Sequence, residues 1–201
     1  MAKQVENRTE SQAECTRPKN GPYSGYFPNL VVLAHDNRRA LFYDDLLRGK
    51  TVLIHCMSTR DPDSGQAVSK LAEVQSHLGA SLGREVFIYS LTIDPGFDTP
   101  AVLRKFAERY GAREGWLFLT GDPPTMSALH ESLFRGVTHN HDSGDGYDCS
   151  AALIRYGNEA AGLWGSVAWM NEPEMIAQRI RWLRPLKDAS AAPRRKGPPP
   201  L

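Results

Sequence analysis

The sequence contains few cysteines and no closely spaced pair of them. Its 201 residues include three, Cys15, Cys56 and Cys149, at wide and irregular intervals. This spacing is unlike the disulfide framework of a small secreted domain, and it is also unlike the paired motifs of a zinc ribbon. The cysteine pattern therefore indicates neither class of fold and no particular compartment.

Long apolar runs and an excess of charge of one sign are also missing. No stretch reaches the roughly 18 consecutive apolar residues of a membrane-spanning helix, and residues 1–15 are polar. The sequence therefore predicts a soluble chain without a signal peptide or an anchor. The 24 basic and 23 acidic residues give a formal charge of +1, so neither nucleic acid nor an anionic membrane surface is expected as a partner.

A single domain is expected from the length and from the ordinary composition, 41% hydrophobic and 23% charged. Residues 1–22 are polar and rich in turn-forming residues, and residues 187–201 combine proline with a basic cluster. We predict that both ends are disordered and that the folded domain spans residues 23–186.

Apolar segments with strand and helix periodicity alternate between these ends. Two short segments around a polar turn predict a hairpin at residues 30–42. Strands and helices then alternate, with strands predicted at 51–57, 85–93, 116–120 and 151–156, helices at 66–78, 99–110, 123–134 and from about 171, and a turn at Gly157-Asn158. This order predicts an α/β fold, a thioredoxin-like mixed sheet flanked by helices with an N-terminal hairpin extension. A flavodoxin-like sheet is the alternative, although no glycine-rich phosphate loop follows the first long strand.

The segment at residues 51–71 joins a predicted buried strand to a helix through the loop at 58–65. A thioredoxin-like fold carries a pair of cysteines in this loop. Here the loop reads STRDPDSG and contains none. Its alternating charges predict either a charged pocket that replaces the dithiol or a capped, solvent-facing turn.

Two segments downstream carry a family resemblance. In YSLTIDPGFDTPAVLRKFAERYGA, residues 89–112, a strand ends in Asp-Pro and a helix starts at Asp-Thr-Pro; the second segment is GWLFLTGDP, residues 115–123. Both resemble the SCO/SenC family of thioredoxin-fold, copper-binding cytochrome oxidase assembly factors, and the resemblance extends over roughly residues 27–183. We expect the matching residues to be mostly architectural, with Asp98 as a cap; they are Asp94, Pro95, Asp98, Thr99 and Pro100.

The resemblance implies a metal site made of two cysteines, with three residues between them, and one distal histidine. Thiolate and imidazole suit copper, and two such thiolates can also form a reversible disulfide. In this sequence Asp61 and Gly65 stand at the two cysteine positions, and a shift of one residue is equally defensible. Cys149 replaces the histidine, or Ser150 does under a shifted alignment. The resemblance therefore implies a divergent member that lacks the CxxxC dithiol.

A rebuilt metal site is one interpretation of these changes. Cys149 together with His139 and His141 offers soft and borderline donors, and Asp61 and Cys56 are further candidate ligands. The opposing interpretation is a solvated connecting loop, because two histidines one residue apart face opposite sides of an extended chain. In the same interpretation Cys56 is packed inertly in the core.

Three functions stay open, and no catalytic residues are recognisable. The first is a divergent SCO/SenC-like role in copper handling or respiratory oxidase assembly, with copper as the candidate cofactor and a respiratory-complex subunit or another protein as the partner. The second is a non-catalytic thioredoxin-like interaction module. The third is a single-cysteine thiol oxidoreductase, which needs Cys56 or Cys149 to be exposed with a lowered pKa.

His55 and His77 are interpreted as structural or surface histidines. The family is usually membrane-anchored and extracytoplasmic, unlike the soluble chain expected above, so no compartment is predicted.

Overall fold

The computed structural model describes residues 24–134 and 152–183. The strands of this part are β1 (Val31–Ala34), β2 (Arg39–Leu41), β3 (Thr51–Met57), β4 (Val86–Thr92), β5 (Trp116–Thr120), β6 (Leu153–Asn158) and β7 (Leu163–Ala168). Its α-helices are α1 (Pro62–Leu78), α2 (Pro100–Arg109), α3 (Pro123–Phe134) and α4 (Pro173–Trp182). A π-helical turn, Phe42–Leu47, lies between β2 and β3. The predictions for Cys15, His139, His141, Cys149 and Ser150, and most of those for the two chain ends, concern residues outside the described ranges.

One sheet contains all seven of these strands, in the order β2-β1-β5-β4-β3-β6-β7. The central strands β5, β4 and β3 are parallel to one another. The β1–β2 hairpin joins the sheet antiparallel to β5, and the β6–β7 hairpin joins it antiparallel to β3. The mixed sheet, its flanking helices and its N-terminal hairpin confirm the predicted thioredoxin-like α/β fold.

The central strand β3 is buried along its whole length and divides the core into two layers. Successive side chains of a strand point to opposite faces of the sheet. Ile54 and Cys56 pack with α3 and the π-helical turn on one face, which we call the α3 face. Leu53 and Met57 pack with α1, α2 and α4 on the other, the α1 face. Because both faces are covered, the strand has a nearly continuous apolar run, and its predicted bounds are confirmed.

Helix α1 begins at Pro62, earlier than the predicted start at residue 66. Asp61 precedes it in an extended conformation and accepts hydrogen bonds from the backbone N–H groups of Asp63 and Ser64. A proline in the first turn has no N–H to satisfy and has the φ angle that a helix needs. Gly65 therefore lies in the first helical turn and not in a loop.

The turn predicted at Gly157-Asn158 is wrong. Both residues belong to β6, where they pair with Trp164 and Leu163 of β7, and the chain turns afterwards, with Gly162 at φ +69°. A Cβ atom on Gly157 would overlap the ring of Trp164. The glycine therefore makes room for a tryptophan on the neighbouring strand and does not mark a chain reversal.

Candidate functional site

The chain between β3 and α1 is held by hydrogen bonds from the Asp61 side chain. Asp61 Oδ1 accepts from the backbone N–H of Asp63 at 3.1 Å, and Oδ2 accepts from the backbone N–H of Ser64 at 3.1 Å and from its hydroxyl at 2.7 Å. Ser64 Oγ in turn accepts from the backbone N–H of Ser58 at 3.1 Å. Of the two sequence interpretations of this segment, the arrangement matches the capped turn.

Asp98 connects the same segment to the end of β4. Its carboxylate is fully buried and accepts from the backbone N–H of Thr59 at 3.3 Å and from the hydroxyls of Thr59 and Thr92. The predicted capping role of Asp98 is wrong, because Thr99 is the N-cap of α2 and accepts from the backbone N–H of Val102 at 3.4 Å. Asp98 is therefore a buried acceptor that holds two loops together, and its partner Thr59 lies 39 positions away.

A charged and partly apolar surface lies beside this network. Arg60 forms an ion pair with Asp94, and its guanidinium carbon lies 4.7 Å from the ring centroid of Phe97. Phe97 is 45% exposed, and Ile93 at the end of β4 is 47% exposed. The surface next to the altered loop therefore combines a stacked arginine with two exposed apolar side chains.

Gly65 faces a neighbouring tyrosine. A Cβ atom built at this position would lie 2.8 Å from the hydroxyl oxygen of Tyr110. A side chain at residue 65 therefore requires Tyr110 to move. As a glycine, residue 65 offers no side-chain donor to a metal ion.

Cys56 and Asp61, the two candidate ligands within the described residues, lie on different sides of the sheet. The Cys56 side chain is 1% exposed and belongs to the core of the α3 face. Asp61 caps α1, which packs on the opposite face. The burial of Cys56 agrees with the inert packing interpretation and does not favour nucleophilic chemistry at this sulfur.

His55 is a polar side chain in an apolar position. It is fully buried on β3, and alternation along the strand places it on the α1 face with Leu53 and Met57. Neither ring nitrogen has a hydrogen-bond partner in the described part of the chain. Burial lowers the pKa of His55 to about 4, against an opposing effect of the Asp61 carboxylate. His55 and His77 were predicted to be structural or surface histidines. His55 is buried in the core, and His77 is exposed on α1.

No group of three or more histidine, cysteine, aspartate or glutamate side chains suited to a metal ion occurs within residues 24–134 and 152–183. The softest candidate donors, Cys149, His139 and His141, lie outside these ranges. Their participation in a metal site stays a prediction.

The fold and the altered loop define a thioredoxin-like domain whose active-site loop carries no thiol. A family model described as SCO1/SenC matches residues 34–183. The chain belongs to the SCO1/SenC family, as a divergent member without the CxxxC pair. No match was found among curated protein sequences.

Solved structures of the same fold have low sequence identity to this chain. Copper-bound ScoI of Bradyrhizobium japonicum has a TM-score of 0.61 at 21% identity, with 77% of this chain and 96% of that chain covered. Copper-bound yeast Sco1 has a TM-score of 0.59 at 19% identity, covering 83% and 93% of the two chains. BsSco, described as a member of the Sco family of cytochrome c oxidase assembly proteins with a disulfide switch, gives 0.60 at 17% identity, covering 84% and 98%. These likenesses support the fold.

Within the described residues, no helix is long and apolar enough to cross a bilayer.

Proposed function

We propose that this chain works in copper handling or in respiratory oxidase assembly, as a SCO-family protein whose metal ligands have changed. The observation that carries the proposal is the family match over residues 34–183. Support comes from the copper held by the Bradyrhizobium and yeast proteins and from the assembly role stated for the family of BsSco. The partner in this proposal is a subunit of a respiratory complex.

The proposed ligands are Cys149, His139 and His141, with Asp61 and Cys56 as secondary candidates. Thiolate and imidazole are donors that suit copper(I), whereas a carboxylate is a harder ligand. Asp61 already accepts three hydrogen bonds, and Cys56 faces the other layer of the core. The described residues alone therefore do not fit a copper site, and the proposal depends on donors that lie outside them.

The loop after β3 has a supporting role in this proposal. It contains no thiol, so it cannot exchange a dithiol for a disulfide as the family cysteines do. The hydrogen bonds of Asp61 and Asp98 instead fix its path between β3 and α1. A copper ion in this proposal would be held by thiolate and imidazole donors, without dithiol–disulfide exchange at this loop.

Copper(I) titration of the reduced full chain against a chromogenic chelator tests the proposal. We expect stoichiometric binding that is lost in Cys149→Ser and weakened in His139→Asn and His141→Asn. Cys15→Ser is the matched control, because it removes a thiol that the proposal does not use. Binding that is absent from the wild-type chain, or unchanged in Cys149→Ser, contradicts the rebuilt copper site.

A non-catalytic interaction module is the second candidate, and the exposed Phe97 and Ile93 beside the stacked Arg60 favour it. Exposed apolar side chains next to an arginine are typical of contact surfaces. In cells that depend on the chain for oxidase assembly, this candidate predicts that Phe97→Ser lowers oxidase activity while Cys149→Ser does not. The opposite pattern supports the copper role.

A further inference from the structure

A pocket lies at the amino end of the parallel strands β3, β4 and β5, opposite to the loop that carries Asp61. Its volume is about 330 Å³, at the lower end of the roughly 300 to 1,000 Å³ typical of small-molecule sites. The lining residues Lys50, Gly83 and Gly115 precede β3, β4 and β5 respectively. The loop that carries Asp61 follows the other end of β3, about 20 Å away along a seven-residue strand. The pocket is therefore separate from that loop.

The pocket floor is apolar and belongs to the α3 face of the sheet. It is formed by Phe87 and Tyr89 of β4 and by Leu117 and Leu119 of β5. The rings of Phe87 and Tyr89 are stacked, with centroids 6.4 Å apart and planes at 15°. The Tyr89 hydroxyl already donates to the carbonyl oxygen of Leu46 at 2.8 Å. The floor therefore offers flat apolar contact to a ligand.

Lys50 places a half-buried positive charge above this floor. Its Nζ lies 5.0 Å from the ring centroid of Phe87 and donates to the backbone carbonyl oxygen of Asp45. The Asp45 carboxylate accepts from the backbone N–H of Leu41 at 2.7 Å. In the described part of the chain no carboxylate lies within ion-pair distance of Lys50. Burial lowers the pKa of Lys50, against an opposing effect of the Asp45 carboxylate.

Arg39 supplies a second cation at the pocket rim. It is exposed on β2 and forms no ion pair among the described residues, whereas the neighbouring Arg38 is paired with Asp36 at 2.6 Å. A guanidinium group binds carboxylate or phosphate through two parallel hydrogen bonds. The rim carboxylate Glu114 precedes β5 and is part of a different segment. Asp45 is the other carboxylate of the lining, against the three basic residues Arg38, Arg39 and Lys50. Lys50 and Arg39 form no ion pair among the described residues, so we expect an anionic group to contact these two.

We propose that this pocket binds a small anion with a flat apolar body, of the aromatic carboxylate class. The body lies on Phe87 and Leu117, and the carboxylate contacts Lys50 and Arg39. Binding places a negative charge beside an ammonium group that has no ion-pair partner in the described part of the chain, and it covers half-buried apolar surface. Both changes favour the complex. The proposal uses none of the candidate copper ligands.

Titration of the full chain with 2-naphthoate tests the proposal, with binding measured by calorimetry and by backbone amide chemical shifts. The neutral isostere 2-naphthamide is the matched probe. We expect the naphthoate to shift the amides of Phe87 and Leu117, and to bind at least about tenfold more tightly than the amide, since one charge-assisted hydrogen bond is worth roughly 1.5 to 3 kcal/mol.

Lys50→Met keeps the apolar stem of the side chain and removes the charge, and we expect it to weaken naphthoate binding by about tenfold. Arg39→Gln, at an exposed rim position, provides a second variant in case Lys50→Met unfolds. The control is Lys105→Met, an equal change of charge at an exposed position on α2. Equal binding of the two probes, no binding of either, or Lys50→Met and Arg39→Gln indistinguishable from Lys105→Met would overturn the proposal.

Discussion

The two ends of the parallel strands accommodate charged side chains in different ways. At the carboxyl ends of β3 and β4, Asp61 and Asp98 are surrounded by N–H and hydroxyl donors from the loops they join. At the amino ends, Lys50 is half-buried with one backbone carbonyl and one aromatic ring as its contacts, and Arg39 is exposed at the rim. One end is a closed hydrogen-bond network, and the other is an open pocket.

This difference bears on the segment between β3 and α1, where the family resemblance implies two cysteines. Asp61 and Gly65, which stand at the two cysteine positions in one of the two alignments considered, lie at the start of α1, and Asp61 is its N-cap. The Asp61 carboxylate accepts from two backbone N–H groups of the first helical turn, so this end of the sheet contributes to stability. At the amino end, Lys50 and Arg39 form no ion pair among the described residues.

The largest expected effect in the comparison belongs to Asp98. Asp98→Ala leaves the Thr59 N–H and two threonine hydroxyls without their acceptor, at a buried position. We expect the free energy of unfolding to fall by about 3 kcal/mol or more. Urea denaturation followed by circular dichroism measures this change.

Lys50→Met is the contrasting variant at the amino end. It removes a charge that burial disfavours, so we expect the free energy of unfolding to stay within about 0.5 kcal/mol of the wild-type value or to rise. Two variants with similar losses of stability would contradict the distinction between a closed end and an open end.

The sequence predicts those features that depend on local patterns. The bounds of β3 follow from a run that is apolar on both faces, and the start of α2 follows from Thr99 and Pro100. The role of Asp98 depends on Thr59, which is distant in the chain. The local sequence around Asp98 therefore indicates only a helix cap. The pair Gly157-Asn158 has the composition of a turn. Residue 157 is a glycine for another reason, because the Trp164 ring of the neighbouring strand packs against it.

The candidate site is predicted less completely. The loss of both loop thiols is read directly from the sequence, and the burial of Cys56 follows from its place in an apolar strand. The capping role of Asp61 was one of two alternatives, because Asp-Pro-Asp-Ser is compatible with a helix start and with a charged turn. Among the described residues His55 has no hydrogen-bond partner, and the sequence around it does not predict this, because the partners of a buried side chain come from other segments.

His55 is the exception within the closed end, and it is expected to make stability depend on pH. Burial lowers its pKa in the folded state to about 4, whereas the ordinary value of 6.5 applies to the unfolded chain. The unfolded state therefore takes up a proton first as the pH falls, and stability is lost between pH 6.5 and about 4. The loss from this one group is roughly 3 kcal/mol across that window.

His55→Leu should remove this component and raise the free energy of unfolding at pH 7 by about 1 kcal/mol, because two ring nitrogens no longer lack partners. The measurement is the difference in unfolding free energy between variant and wild type at pH 7, 6, 5 and 4.5, which cancels the titration of other groups. His77→Gln, at an exposed position on the same face of the sheet, serves as the control. A difference that stays constant with pH would show that the pKa of His55 is the same in the folded and unfolded states, which contradicts this prediction.

A smaller loss of stability than that of Asp98→Ala is expected at Asp61, where two roles can be separated. Asp61→Ala removes the N-cap of α1 and should lower the free energy of unfolding by about 1 kcal/mol, whereas Asp61→Ser keeps a capping oxygen and should lose a few tenths. Both variants lack the carboxylate that a metal ion would use. If the copper(I) affinity of the full chain follows stability, falling in Asp61→Ala but not in Asp61→Ser, then Asp61 acts by holding the helix start. If it falls equally in both, Asp61 is a ligand, and the carboxyl end of the sheet is more open to a metal ion than its hydrogen bonds indicate.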